Sequence, residues 1–427
     1  MNAAYNAAIR LYRGAARIAS LSSPKVRKML AGQKETLDRV AHFRATLAPK
    51  GFDVWFHAAS LGEFEQARPL IEALLERRPE TTILLSFFSP SGYEVRHNFN
   101  PRVGVVYLPF DTPAGASAFI EAAAPRMAIF VKYEFWGNYL TELKLRGIPT
   151  YIISAIFRPG QIFFRTGGGM FRKILGCFDR LYVQDEASRK LLHGIGIDSV
   201  TVAGDTRFDR VTTIRNNGRE IAEVKCFCEA AADSKILVAG SSWGRDEDVY
   251  FPWLTKCENV RAIIAPHEFD KERLAAMKHS LGEDKTLLLS EFRKVYESSP
   301  EEAARVASGL RYLIVDCFGL LSSLYRYADA AYVGGGFGAG LHNINEAAVY
   351  GIPVVYGPNN HKFIEARELK ECGGGFEITD RSTAEATLGS LFADTEKRKA
   401  AGKAAGEYIA SHIGATKKIM ADIFPEI

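Results

Sequence analysis

Short apolar runs separated by helical stretches leave this chain of 427 residues little choice of fold. The first set falls at Asp53–Ala59, Thr82–Phe88, Val103–Leu108, Met127–Lys132, Thr150–Ser154, Arg180–Gln184 and Ser199–Ala203. Such alternation predicts a parallel sheet covered by helices on both faces. The pattern breaks at GDTRFD, residues 204–209, and residues 212–234 are charged and helical. A second set follows at Ile236–Gly240, Val260–Ala265, Thr286–Leu289, Tyr312–Val315, Ala330–Gly334 and Val354–Gly357. Two α/β domains are therefore expected, with a boundary near 205–215. The tail from Ser382 reads as helices able to pack back on the first domain. Ligands of parallel sheets bind beyond the carboxyl ends of the strands, so the expected working site is a cleft between the two domains.

Charge is unevenly placed. The chain carries +4 overall, but residues 1–50 hold ten Lys/Arg against Glu35 and Asp38, a local +8. A basic end on a mildly acidic body suits an anionic surface. Membrane lipid fits better than nucleic acid, because no nucleic-acid motif or aromatic–basic interleaving follows. Residues 3–21 have helical periodicity, with Tyr5, Ile9, Tyr12, Ala16 and Ala19 on one side and Arg10, Arg13 and Arg17 on another. Three arginines argue against a bilayer-crossing helix, and no uninterrupted apolar core marks a secretory signal. Residues 1–35 are read as a basic amphipathic segment, either lying on a membrane or packed on the body. Residues 36–210 and 211–427 form the two domains. The six cysteines, at 177, 226, 228, 257, 317 and 372, have no metal-ligand spacing. They read as reduced thiols, and no metal centre is expected.

Candidate chemistry lies at the strand ends. HAASLGE at 57–63 places Glu63 where the first strand turns into its helix. A carboxylate there can serve as a general base if burial raises its pKa. Ser60-x-x-Glu63 also fits a helix capping box, and His57 reads as a strand-end histidine. VKYEFWGN at 131–138 sets Lys132 and Glu134 among aromatics just past another strand. Further on, Arg158, Arg165, Arg172 and Lys173 stand beside Phe157, Phe163, Phe164 and Phe171, a composition that suits an anionic amphiphile or plain helix packing.

The second half offers a nucleotide-sized set of strand ends. These are Ser241 and Ser242 in AGSSWG, Pro266 and His267 in IIAPH, and Phe318, Gly319 and Leu320 in DCFGL. After the strand ending at Val333, the chain runs GGGFGAGLHNINE. Gly335 and Gly336 allow close backbone approach, and a helix opening at His342-Asn343 favours a phosphate. Asn343, Ile344, Asn345 and Glu346 begin that helix. Glu346 can accept from ribose hydroxyls, although Asn343-x-x-Glu346 fits a capping box as well.

Together these segments resemble the 3-deoxy-D-manno-octulosonic acid (Kdo) transferases of lipopolysaccharide assembly. The resemblance spans nearly the whole chain and rests on HAASLGEFEQARPLI, KYEFWGNYL, GDTRFD, GSSWGRDE, APHEFDKER and GLHNINEAA in that order. It implies an α/β fold of the GT-B type, with two Rossmann-like domains whose parallel sheets face across a cleft. The donor it implies is CMP-Kdo, bound by the C-terminal domain without a metal cofactor. The implied acceptor is the tetra-acylated lipid A precursor at the cytoplasmic face of the bacterial inner membrane. Glu63 would be the general base, with Glu134 and Arg207 stabilising the transition state. CMP contacts would come from Pro266-His267, Phe318 to Leu320 and Asn343 to Glu346. The family commonly has Lys at Arg207, Arg at Pro266 and Glu at Leu320, which leaves those contacts open. Competing readings are a UDP-sugar transferase or epimerase of the same fold, and a two-domain ligand-binding protein without catalysis.

Overall fold

The computed structural model describes residues 3–231, 233–338 and 340–425, so Ala339 of the glycine turn lies outside the described residues. The chain forms two compact units, one of residues 1–210 with 413–427, the other of residues 211–412.

The first unit opens with three helices, α1 (Ala3–Ala19), α2 (Pro24–Lys34) and α3 (Thr36–Thr46). Its strands are β1 (Val54–His57), β2 (Ile83–Phe87), β3 (Val103–Tyr107), β4 (Ala128–Val131), β5 (Thr150–Ala155), β6 (Arg180–Val183) and β7 (Val200–Val202). They pair in the order β3-β2-β1-β4-β5-β6-β7, every neighbour parallel. Every residue of β1 to β4 is buried, which explains why these strands read as continuous apolar runs. Helices α4 (Leu61–Arg77), α5 (Pro90–Arg96) and α6 (Pro113–Ala123) connect the first strands.

The last helix, Ala415–Ile423, belongs to this unit. Its Ile419, Met420 and Ile423 share a core with Phe56, Phe64 and Ile71. The Asp209 carboxylate accepts from the backbone N–H groups of Gly414 and Thr416, both at 2.6 Å, and so caps the helix start. This gives the end of the GDTRFD segment a structural task.

On the face of α1 carrying Tyr5, Ile9, Tyr12, Ala16 and Ala19, Ala16 is buried and Tyr5 and Ile9 are half-buried, whereas Tyr12 and Ala19 stay exposed. The Tyr5 hydroxyl donates to Asp111 at 2.6 Å, and Tyr12 stacks on Phe88. That much is body packing. A second apolar stripe, Ala4, Ala7, Ala8, Leu11, Ala15 and Ile18, is exposed, with Leu11 at 75% and Ile18 at 72%. No helix among the described residues is long and apolar enough to cross a membrane.

In the second unit the strands are β8 (Lys235–Ser242), β9 (Val260–Pro266), β10 (Thr286–Leu288), β11 (Tyr312–Ile314), β12 (Ala330–Val333), β13 (Val354–Tyr356) and β14 (Gly375–Glu377). Their order is β10-β11-β9-β8-β12-β13-β14, again all parallel. The sequence pattern misses β14, since three residues after a glycine run give no periodicity. Two parallel sheets flanked by helices give the chain an α/β architecture of the GT-B type. In each sheet the strand order reverses once beside the first strand, between β1 and β4 and between β8 and β12. A crevice for ligand opens at such a switch point, beyond the carboxyl ends of the two strands.

Candidate active site

At the first switch point β1 delivers His57 and, one turn later, Glu63; β4 delivers Lys132 and Glu134. His57 is fully buried, with Nδ1 3.1 Å from the Ser86 carbonyl oxygen and 2.9 Å from Ser86 Oγ. Its Nε2 lies 3.2 Å from Glu134 Oε2. The Trp136 indole N–H donates to the same carboxylate oxygen at 2.5 Å. Glu134 is thus buried and held from two sides.

Glu63 sits on the first turn of α4. Its carboxylate accepts from the Ser60 backbone N–H at 3.2 Å, so it does close the helix start as the capping reading expects. Capping does not exhaust its role. Burial, and next the negative charge of Glu134, push its pKa up to about 7, against smaller opposing effects that include the Lys132 ammonium. A carboxyl that titrates near neutrality can both accept and return a proton. Lys132, immediately after β4, has φ 62°, a left-handed backbone that costs a side-chain-bearing residue energy. Ser154, at the end of β5, is held the same way at φ 52°.

Around this pair stand further charges. Arg207 forms a forked ion pair with Asp205, Nε at 2.8 Å and Nη2 at 2.7 Å. Burial alone would raise the Asp205 carboxyl; Arg207, aided by the Gln66 amide, overrides it and holds it below its ordinary value. The Thr206 hydroxyl meets the Gln66 carbonyl at 2.6 Å and Ser154 Oγ at 3.1 Å, which locks β5, α4 and this segment together. Arg158, Arg207 and Glu63 all act electrostatically on Tyr133, which places them around one aromatic ring. Arg165 is exposed and enters none of these contacts. Phe157 and Phe163 are buried among Phe135 and Phe178, so their role is packing and not reception of an acyl chain.

At the second switch point, β8 ends in Ser241, with φ 51°, and Ser242. The Ser242 side chain turns inward, within 3.0 Å of both Glu247 Oε1 and Tyr250 Oη, so it can offer a ligand only backbone. Gly334 packs where a Cβ would lie 2.2 Å from the Ser241 carbonyl oxygen, and at Gly336 it would lie 2.6 Å from the Gly357 nitrogen. Asp246 ties the turn down, accepting from the Gly335 N–H at 2.9 Å and the Tyr332 hydroxyl at 2.8 Å. Trp243 stacks on His267 with ring centres 4.2 Å apart, and its N–H donates to His342 Nε2 at 3.3 Å. Burial and the neighbouring His267 depress the His342 pKa.

The expected helix opening at His342-Asn343 is corrected. The helix is a single turn, Asn345–Ala348. The Asn343 side chain accepts from the Asn345 N–H at 3.2 Å and donates to Glu346 at 3.2 Å, so the preceding residues form a turn and present no helix start. Ile344 and Asn345 are buried, whereas Glu346 is reached by the Ser322 hydroxyl at 2.5 Å. Pro266 is buried at the end of β9; His267 is exposed beside it, and Phe318 is exposed before Gly319, whose φ is 87°. Leu320 leads into the short helix Leu321–Leu324. Sequence reasoning missed Trp243, His342, Asp205 and Gln66. Their types were visible, but stacking and a contact across 139 residues leave no periodic signal. Among the described residues no group of three or more His, Cys, Asp and Glu is placed to hold a metal.

The fold, with the comparisons that follow, defines a class, that of GT-B glycosyltransferase-family enzymes. The family model described as 3-Deoxy-D-manno-octulosonic-acid transferase (kdotransferase) matches residues 31–210. The 3-deoxy-D-manno-octulosonic acid transferase of Bordetella pertussis is 28% identical over 87% of this chain and 87% of its own. That of Haemophilus influenzae is 26% identical over 94% of this chain and 92% of its own. The UDP-GlcNAc 2-epimerase of Neisseria meningitidis bound to UDP-GlcNAc shares the fold, with TM-score 0.59 over 88% of this chain and 100% of that one, at 13% identity. Over most of its length the chain is thus similar to 3-deoxy-D-manno-octulosonic acid transferases.

Proposed function

We propose that the protein is an inverting glycosyltransferase that moves Kdo from CMP-Kdo to a hydroxyl of the tetra-acylated lipid A precursor and releases CMP. The observation that carries this reading is Glu63, a carboxyl at a sheet switch point with its pKa pushed to about 7 beside a second, buried carboxyl. In this reading ionised Glu63 takes the proton of the acceptor hydroxyl as its oxygen attacks the anomeric carbon of Kdo. The bond to the CMP phosphate oxygen breaks, and CMP leaves with the electron pair. Gaining the proton relieves the repulsion between Glu63 and Glu134, so proton uptake is favoured by the same charge that raised the pKa. Arg207, held in place by Asp205, offers positive charge to the transition state.

The CMP moiety belongs to the second unit. Pro266, His267, Phe318, Gly319, Leu320, the turn at Gly335-Gly336 and the segment Asn343 to Glu346 are its proposed contacts, with Ser241 and Ser242 contributing backbone. Glu346 would take the ribose hydroxyls. Acceptor contacts are assigned to Lys132 and Arg158, and to Arg165 at the rim. The exposed stripe of α1 supports association with the cytoplasmic face of the inner membrane, where the acceptor lies.

The named relatives support Kdo transfer. The rival reading is a UDP-sugar enzyme, and the UDP-GlcNAc-bound structure favours it only in fold. Incubation with CMP-Kdo and lipid A precursor, with products resolved by mass, tests the proposal. A mass increase by whole Kdo units is expected. Tighter equilibrium binding of UDP than of CMP, with no transfer, overturns it.

A further inference from the structure

A cavity of about 660 Å³ in the first unit lies between α1, α2 and the β3–α6 connection, and its lining includes none of the residues assigned to chemistry above. Arg13, Arg17, Arg27 and Lys34 line it, with Phe110 and Thr112 closing the opposite wall. None of the four basic side chains meets a carboxylate among the described residues. Arg27 is fixed by donating to the carbonyls of Ser20 at 3.2 Å and Leu21 at 3.1 Å, bonds that orient it and leave its charge uncompensated. Four like charges around one hollow repel one another, and an anion bound there removes that repulsion.

Two independent features point the same way. The first turn of α6, an 11-residue helix, forms part of the wall through Thr112 and Gly115 and contains no acidic residue, so its dipole adds positive potential. The exposed stripe of Leu11 and Ile18 runs along the same helix that supplies Arg13 and Arg17, with Leu21 exposed just after it. An anion seated among these arginines therefore sits at the level of a surface that the stripe enters.

We propose that this cavity is a binding site for a phosphate monoester carried on a membrane-embedded lipid. The proposal rests on the membrane-association reading of α1 and adds to it a defined pocket. Guanidinium forks distinguish a dianionic monoester, with three free oxygens, from a monoanionic diester by the number of charge-assisted bonds each can make.

The test compares full-length protein on vesicles of phosphatidylcholine containing phosphatidic acid with vesicles containing phosphatidylglycerol, adjusted to equal surface charge. Phosphatidic acid should be preferred. Arg13→Gln, Arg17→Gln and Arg27→Gln together should erase the preference and weaken phosphatidic acid binding at least about tenfold. Competition by glucose 1-phosphate would show that the pocket takes the soluble monoester as well; a preference that glucose 1-phosphate leaves intact assigns it to the lipid headgroup alone. Equal binding of both vesicle types by the unsubstituted protein overturns the proposal, as does a preference that survives the triple substitution. Leu11→Ser with Ile18→Ser tests the underlying reading separately. Loss of binding to every vesicle supports it, and unchanged vesicle binding with the monoester preference intact removes the anchor while the pocket stands.

Discussion

The two switch points are built alike and furnished differently. Each follows a buried parallel strand, and each holds a side-chain-bearing residue in left-handed backbone, Lys132 in one and Ser241 in the other. At β1 and β4, two carboxyls are pressed together and one is lifted to about 7. At β8 and β12, the carboxyls are tied off: Asp246 by Gly335 and Tyr332, Glu247 by an ion pair to Arg273, Glu346 by Ser322 and Asn343. Glycines pack there against backbone with no space for a Cβ. The first edge stores a proton-transfer capacity. The second is a stiff cradle whose carboxyls also hold its own shape.

The largest expected effect tests the first half of that contrast. Glu63→Ala should lower transfer by about 10²-fold or more while CMP affinity and fold persist, measured by product mass and by calorimetry. Retained turnover would put the base elsewhere. Gly336→Ala tests the other half. The new methyl meets Gly357 nitrogen and Cα at 2.6 and 2.7 Å, and backbone cannot step aside as a flexible side chain can. CMP binding should fall by more than about tenfold, the loss of a charge-assisted contact or two, with the pH dependence at Glu63 unchanged. Glu346→Gln should weaken CMP binding by up to about tenfold and leave turnover at saturating donor near normal. A fall in turnover with donor affinity intact would erase the division between the two edges.

The sheets were legible because a strand buried on both faces must be largely apolar, and β1 to β4 of the first unit announced themselves that way, whereas half-buried β7 showed only as a short β-branched run. β14 did not, since Gly375–Glu377 is too short to show a pattern. Glu63 was legible as a position, at a strand end before a helix. Its proton affinity was not, because that depends first on how deeply the folded chain buries it and next on Glu134, brought alongside by the β1–β4 pairing. The expected helix opening at His342-Asn343 failed for a related reason. Asn343 has the chemistry of a cap, but its side chain closes a turn on Asn345 and Glu346 and delays the helix. Ser242 misled because a small polar residue after a strand suits a phosphate loop and a buried hydroxyl network equally well.

Glu134→Gln sharpens the comparison more gently. Removing its charge takes away a cause of the raised Glu63 pKa, although burial, the larger cause, remains. The acidic limb of the rate profile should therefore move to lower pH, with transfer persisting where the unsubstituted enzyme has lost it. An unmoved limb would mean that Glu63 does not feel Glu134 in solution.

The smallest effect is on stability, and its sign follows from the direction of the Glu63 shift. Its pKa is near 4.5 in an unfolded chain and about 7 when folded. Below pH 4.5 the group is protonated in both states and costs nothing. Between 4.5 and 7 only the unfolded state releases the proton, so stability falls as pH rises, and the loss is complete above 7. A shift of that size corresponds to about 3 kcal/mol. Glu63→Gln removes the titration, so the variant and the unsubstituted protein should melt together near pH 4.5. At pH 8 the variant should melt several degrees higher, on the order of 2–4 °C per kcal/mol. Catalytic loss with a gain in stability confined to high pH is what a carboxyl held against its own preference predicts. An equal difference at both pH values would show that Glu63 is a helix cap and little else.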